Sequence, residues 1–270
     1  MRIIDTHAHY DEDAFETDRE ALLAHDLQTG EVELVVNMGA SMEGCERSAS
    51  LASEYSMVYA GCGIHPDEVE VFEGIYASQS ENPVLLRLRE LLSQPKVVCV
   101  GEIGLDYHWM VQPKEVQQKW FAAQLRLATE MNLPINVHSR EASQDTFDVI
   151  IKNHTANGRT TTGGIIHCYS GSVEMAEEYV KMGYHIGVGG VVTFKNSKRL
   201  RKVVETIPLE AIVTETDCPY MAPEPVRGTR NDSRNIRYVI EKIAEIKGMD
   251  TEECAAVLRQ NALDVYRIGT

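Results

Sequence analysis

Near the start of the chain, the stretch "IIDTHAHY" (residues 3–10) runs apolar residues straight into Asp5, His7 and His9. Alternate side chains of a β-strand share a face, so this spacing predicts that all three line one side together. Two converging imidazoles beside a carboxylate make poor core material and good ligands for a divalent cation. The arrangement recurs down the chain, where apolar runs end in a polar group. Glu102 lies in "GEIGLDY", His138 in "LPINVHSREA", His167 in "HCYSG" and Asp217 in "ETDCPY", while His65 follows Gly63 in "GIHP". Bringing two carboxylates together in an interior is costly unless cations neutralise them.

The elements that must position these groups are eight short apolar runs, at residues 2–7, 32–39, 57–63, 96–102, 133–138, 163–168, 183–190 and 211–217. They are rich in Val and Ile, as strands buried on both faces are. Helical signals separate them. Thr17 with Glu20 reads as a capping box with Gly30 as a stop, and Asn82-Pro83 opens "VLLRLRELL". "KEVQQKWFAAQLRLATEMN" ends before Pro134, Ser172 caps "VEMAEEYVKM", and two more helices fill the last 40 or so residues. Strand and helix alternating eight times predict an α/β fold, a (β/α)8 TIM barrel spanning residues 1–270 as a single domain. A doubly wound sheet would want a glycine-rich turn after the first strand, and "DTHAHYDED" is not one. In a barrel the active site forms at the C-terminal ends of the strands, where His7, His9, Glu102, His138, His167 and Asp217 all fall.

Taken in order, "DTHAH", "GEIGLDY", "LPINVHSREA", "HCYSG" and "ETDCPY" resemble the TatD family of metal-dependent hydrolases, within the wider amidohydrolase-like barrels. The resemblance implies a centre of two divalent cations (Zn, Mn or Mg). His7, His9 and Asp217 would hold one ion, His138 and His167 the other, with Glu102 bridging. It implies hydrolysis by an activated water with Asp217 as general base, and His65 binding phosphate or acting behind the ligands. It also implies a deoxyribonuclease, a 3′-end-directed exonuclease acting on DNA ends. One departure stands out: the family's "RNxP" is "RNDS" here, with Ser233 in the proline position, which predicts a more mobile loop.

Charge gives mixed support for a polyanionic substrate. The formal net charge is −15, but residues 1–100 hold 19 acids against 6 bases, and the rest is close to neutral. Arg140, Lys195 and Arg230 follow predicted strands and are candidate phosphate contacts, with Tyr169 (and Tyr107 and Trp109) as a candidate base-stacking ring. The acidic loop "YDEDAFETD" after the first strand opposes a long duplex and favours a single-stranded or frayed end. It fits slightly better with the alternative, a metal-dependent amidase, esterase or deacylase on a small or nucleic-acid-linked substrate. Six scattered cysteines without a CxxC pair predict a reducing, cytoplasmic setting without disulfides. No apolar run reaches membrane-spanning length, no secretory leader is evident, and nothing points to an obligate protein partner.

Overall fold

A computed structural model describes residues 1–27, 30–69, 82–156 and 159–269. All eight predicted strands are present: β1 (Ile3–Ala8), β2 (Val32–Gly39), β3 (Val58–Cys62), β4 (Val97–Asp106), β5 (Ile135–Arg140), β6 (Gly164–Ile166), β7 (Tyr184–Val188) and β8 (Ile212–Thr214). They form one sheet in sequence order, each paired parallel with the next. The last meets the first through a parallel bridge between Ala8 and Cys218 and through Asp217 N–H donating to the His7 carbonyl at 2.9 Å. The (β/α)8 barrel is therefore realised. A separate two-residue ribbon pairs Thr155–Ala156 with Arg159–Thr160.

The helices between strands are α1 (Met42–Glu54), α2 (Pro83–Leu92), α3 (Lys114–Met131), α4 (Ser143–Asn153), α5 (Val173–Lys181) and α6 (Lys198–Thr206), followed by α7 (Ile236–Lys247) and α8 (Thr251–Tyr266). Their ends follow local chemistry. The Asn82 side chain accepts from Val84 and Leu85 N–H, and Ser172 accepts from Met175 N–H at 3.2 Å. Asn132 and Gly248 close α3 and α7 in the left-handed conformation. The capping box expected at Thr17 and Glu20 does not form. The helical turn there starts at Arg19 with no side-chain cap, because the neighbouring Asp18 carboxylate is engaged by Arg230.

Two apolar layers result. The larger packs helices on the outside of the sheet. The smaller fills the barrel with Ile4, Leu34, Val36, Met38, Cys99, Ile165 and Val213, closed below by Ala262 and Tyr266 of α8. The Tyr266 hydroxyl donates to the Thr6 carbonyl at 2.8 Å and accepts from Asn136 Nδ2 at 3.2 Å, so α8 is hydrogen-bonded to the barrel floor. Above this plug the interior turns polar.

Candidate metal centre

Six side chains named from the sequence converge on the C-terminal rim, with Glu102 at their centre. Glu102 Oε2 lies 3.6 Å from His7 Nε2 and 3.7 Å from His9 Nε2. Its other oxygen, Oε1, lies 2.9 Å from His138 Nδ1, 3.7 Å from His167 Nε2 and 3.9 Å from His65 Nε2. Asp217 Oδ1 completes the first group at 3.4 Å from His9 Nε2 and 3.8 Å from His7 Nε2. Donor atoms of His7, His9 and Asp217 lie within 4.8 Å of one another, as do those of His65, Glu102 and His138.

Local backbone geometry aims these groups. Glu102 sits within β4 rather than at its end, beside a break in pairing register with β5 between Val100 and Ile103. Such irregularities re-aim a side chain. Next to it, Gly104 has a φ of 151°, and a Cβ there would fall 1.9 Å from the His138 carbonyl oxygen, so β4 and β5 can close up only over glycine. Just past the strand ends, Glu141, Cys168 and Asp217 all take positive φ. The chain turns sharply at the rim in three places.

Asp5 departs from the expectation. It does not share a face with His7 and His9, because the pairing of β1 with β2 is irregular between Asp5 and Ala8. Its carboxylate instead accepts from Thr216 N–H (3.0 Å), Thr216 Oγ1 (2.6 Å) and Ser233 Oγ (2.6 Å). Burial pushes its pKa up and these hydrogen bonds only partly offset that, leaving it at about 7. Ser233 is buried and also hydrogen-bonds the Tyr10 hydroxyl at 2.8 Å. The residue that replaces proline thus fastens its loop to β1, contrary to the expected loosening.

Electrostatics at the centre are strongly coupled. Burial alone would raise the Glu102 carboxyl, but His7, His138 and His65 outweigh it and hold the group well below the usual carboxylate range. His138 is opposed by burial yet raised to about 9 by Asp106 and Glu102. His65 is lowered to about 3 by burial and by the neighbouring His138, so it is neutral.

The residues present fit divalent cations. Four imidazoles and two carboxylates present their donor atoms to one another at 2.9–4.0 Å, including His7 Nε2 against His9 Nε2 at 3.0 Å. Two buried polar atoms at the rim, His167 Nδ1 and Glu215 Oε2, have no hydrogen-bond partner. The ring nitrogens facing away from the centre are held from behind. His7 Nδ1 meets Asn136 Oδ1 at 2.9 Å and His9 Nδ1 meets the Met38 carbonyl at 2.9 Å, as expected for metal-ligating histidines.

Three supporting residues escaped the sequence reading. Asp106 Oδ2 lies 3.0 Å from His138 Nε2, Glu215 Oε1 lies 3.3 Å from His167 Nδ1, and Asn136 braces His7. The i,i+2 spacing of Glu215 with Asp217 and the i,i+4 spacing of Asp106 with Glu102 were the signals available. The predicted substrate contacts are placed unevenly. Tyr169 is buried, its ring edge-on to Tyr179 and its hydroxyl spent on the Ser172 carbonyl at 2.6 Å, so it offers no open face to a base. Arg230 is committed to Asp18, with Nη1 to Oδ1 at 2.8 Å. Lys195 and Arg140 are exposed.

Barrel and rim together define a metal-dependent hydrolase. The chain belongs to the TatD related DNase family, whose pattern it matches over residues 4–267. It is 39% identical to the uncharacterized metal-dependent hydrolase YabD of Bacillus subtilis over 99% of this chain and 100% of that one. It is 31% identical to the uncharacterized metal-dependent hydrolase YcfH of Escherichia coli, over 99% of this chain and 97% of that one. The crystal structure of YjjV, a TatD homolog from Escherichia coli, superposes with a TM-score of 0.83 at 30% identity, covering 99% of this chain and 98% of the other.

Proposed function

We propose that this chain hydrolyses phosphodiester bonds at DNA ends as a 3′-directed deoxyribonuclease, in a reducing, cytoplasmic setting consistent with its six free cysteines. The observation that carries the reading is the division of Glu102: one carboxylate oxygen faces His7 and His9, the other His138 and His167. Two cation positions sharing one carboxylate suit that split. His7, His9 and Asp217 would hold one ion, and His138 and His167 the other. Divalent cations bound there supply Lewis acidity, making water acidic enough to ionise near neutral pH and offsetting charge on the phosphoryl group.

The chain's own residues do the rest. Asp217 is the carboxylate suited to accept the water's proton, because its side chain is 21% exposed where that of Glu102 is 6% exposed. His65, neutral and edge-on to His138 at 4.4 Å between ring centroids, can donate a hydrogen bond to a phosphate oxygen without repelling the cations. Within the acidic loop after β1, Asp18 is paired with Arg230 and Asp13 lies 3.8 Å from Arg47. The loop is less repulsive to a polyanion than its sequence suggests, which weakens the amidase or esterase alternative.

The test uses chain stripped with chelator and reloaded with Mn, Mg or Zn, incubated with end-labelled single-stranded DNA. Mononucleotides released from the 3′ end only with metal are the expected result. No release with any of the three metals, alongside cleavage of an amide or ester, would overturn the reading.

A further inference from the structure

The two sides of the barrel mouth differ in character. Strand order puts β4 and β5 opposite β1 and β8. On the β1–β8 side, arginines are neutralised: Arg230 pairs with Asp18 at 2.5 Å, Arg234 with Asp232 at 2.8 Å, and Arg227 lies 3.9 Å from Glu224. On the β4–β5 side, Arg140 closes β5, and among the described residues no carboxylate lies within ion-pair distance of its guanidinium, Asp67 being close enough only for a longer-range attraction. Its Cζ instead lies 5.4 Å from the ring centroid of Trp109.

Trp109 is unusual in its own right. It is 62% exposed and is followed by Met110 at 42% and Val111 at 54%. Isolated exposed apolar residues need no explanation, but three in succession beside a catalytic rim do. The ring is not on a stray loop. Asp106 Oδ1 accepts the backbone N–H of His108 at 2.8 Å and of Trp109 at 3.0 Å, while Asp106 Oδ2 lies 3.0 Å from His138 Nε2. One buried carboxylate therefore ties the turn that presents the indole to an imidazole of the centre.

We propose that Trp109 and Arg140 form a platform for the end of a single-stranded nucleic acid, the indole stacking on an unpaired base and the guanidinium meeting the adjoining phosphate. This deepens the reading above, on which its nucleic-acid substrate rests. An indole accepts any base by stacking, so the platform is sequence-tolerant, whereas a base held in a duplex has no free face to offer. Arg140 supplies the positional phosphate contact. The platform takes over the stacking role that Tyr169 cannot fill, and it brings the strand in from the side away from the acidic loop.

The chain has two tryptophans, and Trp120 is only 2% exposed, so a change in emission on the solvent side reports Trp109. Chelator-treated chain is titrated with a short oligothymidylate, with the matching oligouridylate and with a blunt DNA hairpin, binding being followed in parallel by anisotropy of labelled strands. Single strands should quench the emission saturably and the hairpin should not; comparison of the thymidylate and uridylate arms assigns DNA or RNA as the source of the base. Trp109→Ala should weaken single-strand binding about tenfold. Trp109→Phe should restore most of the affinity without the quench, and Arg140→Ala should reduce the salt dependence. No quench by either single strand, or Trp109→Ala binding as tightly as the parent chain, overturns the platform. A quench without DNA cleavage under any metal would instead overturn the proposed reaction and leave the platform standing.

Discussion

Replacing Glu215 with glutamine removes a negative charge from the interior while keeping its volume. Glu215 is fully buried, its Oε1 accepting the Cys168 N–H at 2.6 Å and lying 3.3 Å from His167 Nδ1. His167 turns its other nitrogen, Nε2, to within 3.7 Å of Glu102 and 4.0 Å of Asp217. A carboxylate behind a ligating imidazole raises its basicity and fixes its orientation, and losing one costs about 10–100-fold in metal affinity. Because His167 Nδ1 lacks a fully formed hydrogen bond, the expected loss for Glu215→Gln lies at the lower end, about tenfold or 1.4 kcal/mol. Gly187→Ala tests the same carboxylate without touching it. An added Cβ would sit 2.6 Å from Glu215 Oε2 and 2.8 Å from Oε1, where 3.4 Å is the start of ordinary contact, so the carboxylate must retreat. Mn or Zn affinity, measured by competition with a chromophoric chelator, should fall in both variants, and the ¹⁵N shifts of His167 should show a changed tautomer balance. Both variants binding metal like the parent chain, with His167 unchanged, would refute the positioning role.

Three further outcomes follow from the same geometry. Glu102→Gln should lower hydrolysis by about 100-fold or more while circular dichroism shows the barrel retained; wild-type turnover would remove Glu102 from the shared position. Metal binding should release protons, because His9 is raised to about 10 by Asp217 and Glu102 against the effect of burial, His138 is raised to about 9, and a ligand nitrogen must be unprotonated. Protons and metal compete, so affinity falls as pH falls, roughly tenfold per pH unit for each proton displaced, as titration calorimetry in buffers of different ionisation enthalpy will show. Ser233→Ala should destabilise the fold by about 1–3 kcal/mol in urea unfolding, since it takes a 2.6 Å donor from the buried Asp5 carboxylate; a change below about 0.5 kcal/mol would mean the loop is held otherwise.

Much of the scaffold was readable because strand and helix signals are local. Val- and Ile-rich runs, Asn82 ahead of Pro83, and Ser172 ahead of an amphipathic run each carry their own explanation within a few residues. The failures came from partners far away in sequence. Thr17 and Glu20 satisfy the pattern of a capping box, but the adjacent Asp18 is taken by Arg230, 212 residues further on. The same pairing removes Arg230 from the pool of free phosphate contacts. Tyr169 and Trp109 looked equivalent as aromatics just past a strand end. Only packing separates them, one ring buried edge-on to Tyr179, the other standing 62% exposed.

At the rim, legibility tracks how closely the backbone keeps to a regular strand. His7 and His9 keep the period of two, and their Nε2 atoms lie 3.0 Å apart. Asp5 obeys the same period in sequence yet turns to Thr216 and Ser233, because pairing with β2 slips between Asp5 and Ala8. Past β8, Asp217 takes a φ of 55° and its N–H bonds to the His7 carbonyl, which joins the last strand to the first. Regular strands alone would distribute side chains evenly around the barrel. The irregular steps at Asp5–Ala8, Val100–Ile103 and Asp217 bend that distribution inward, so that groups from five strands or strand ends face one glutamate. A two-residue period rule cannot see those steps, and they are where the side chains of the rim are brought together.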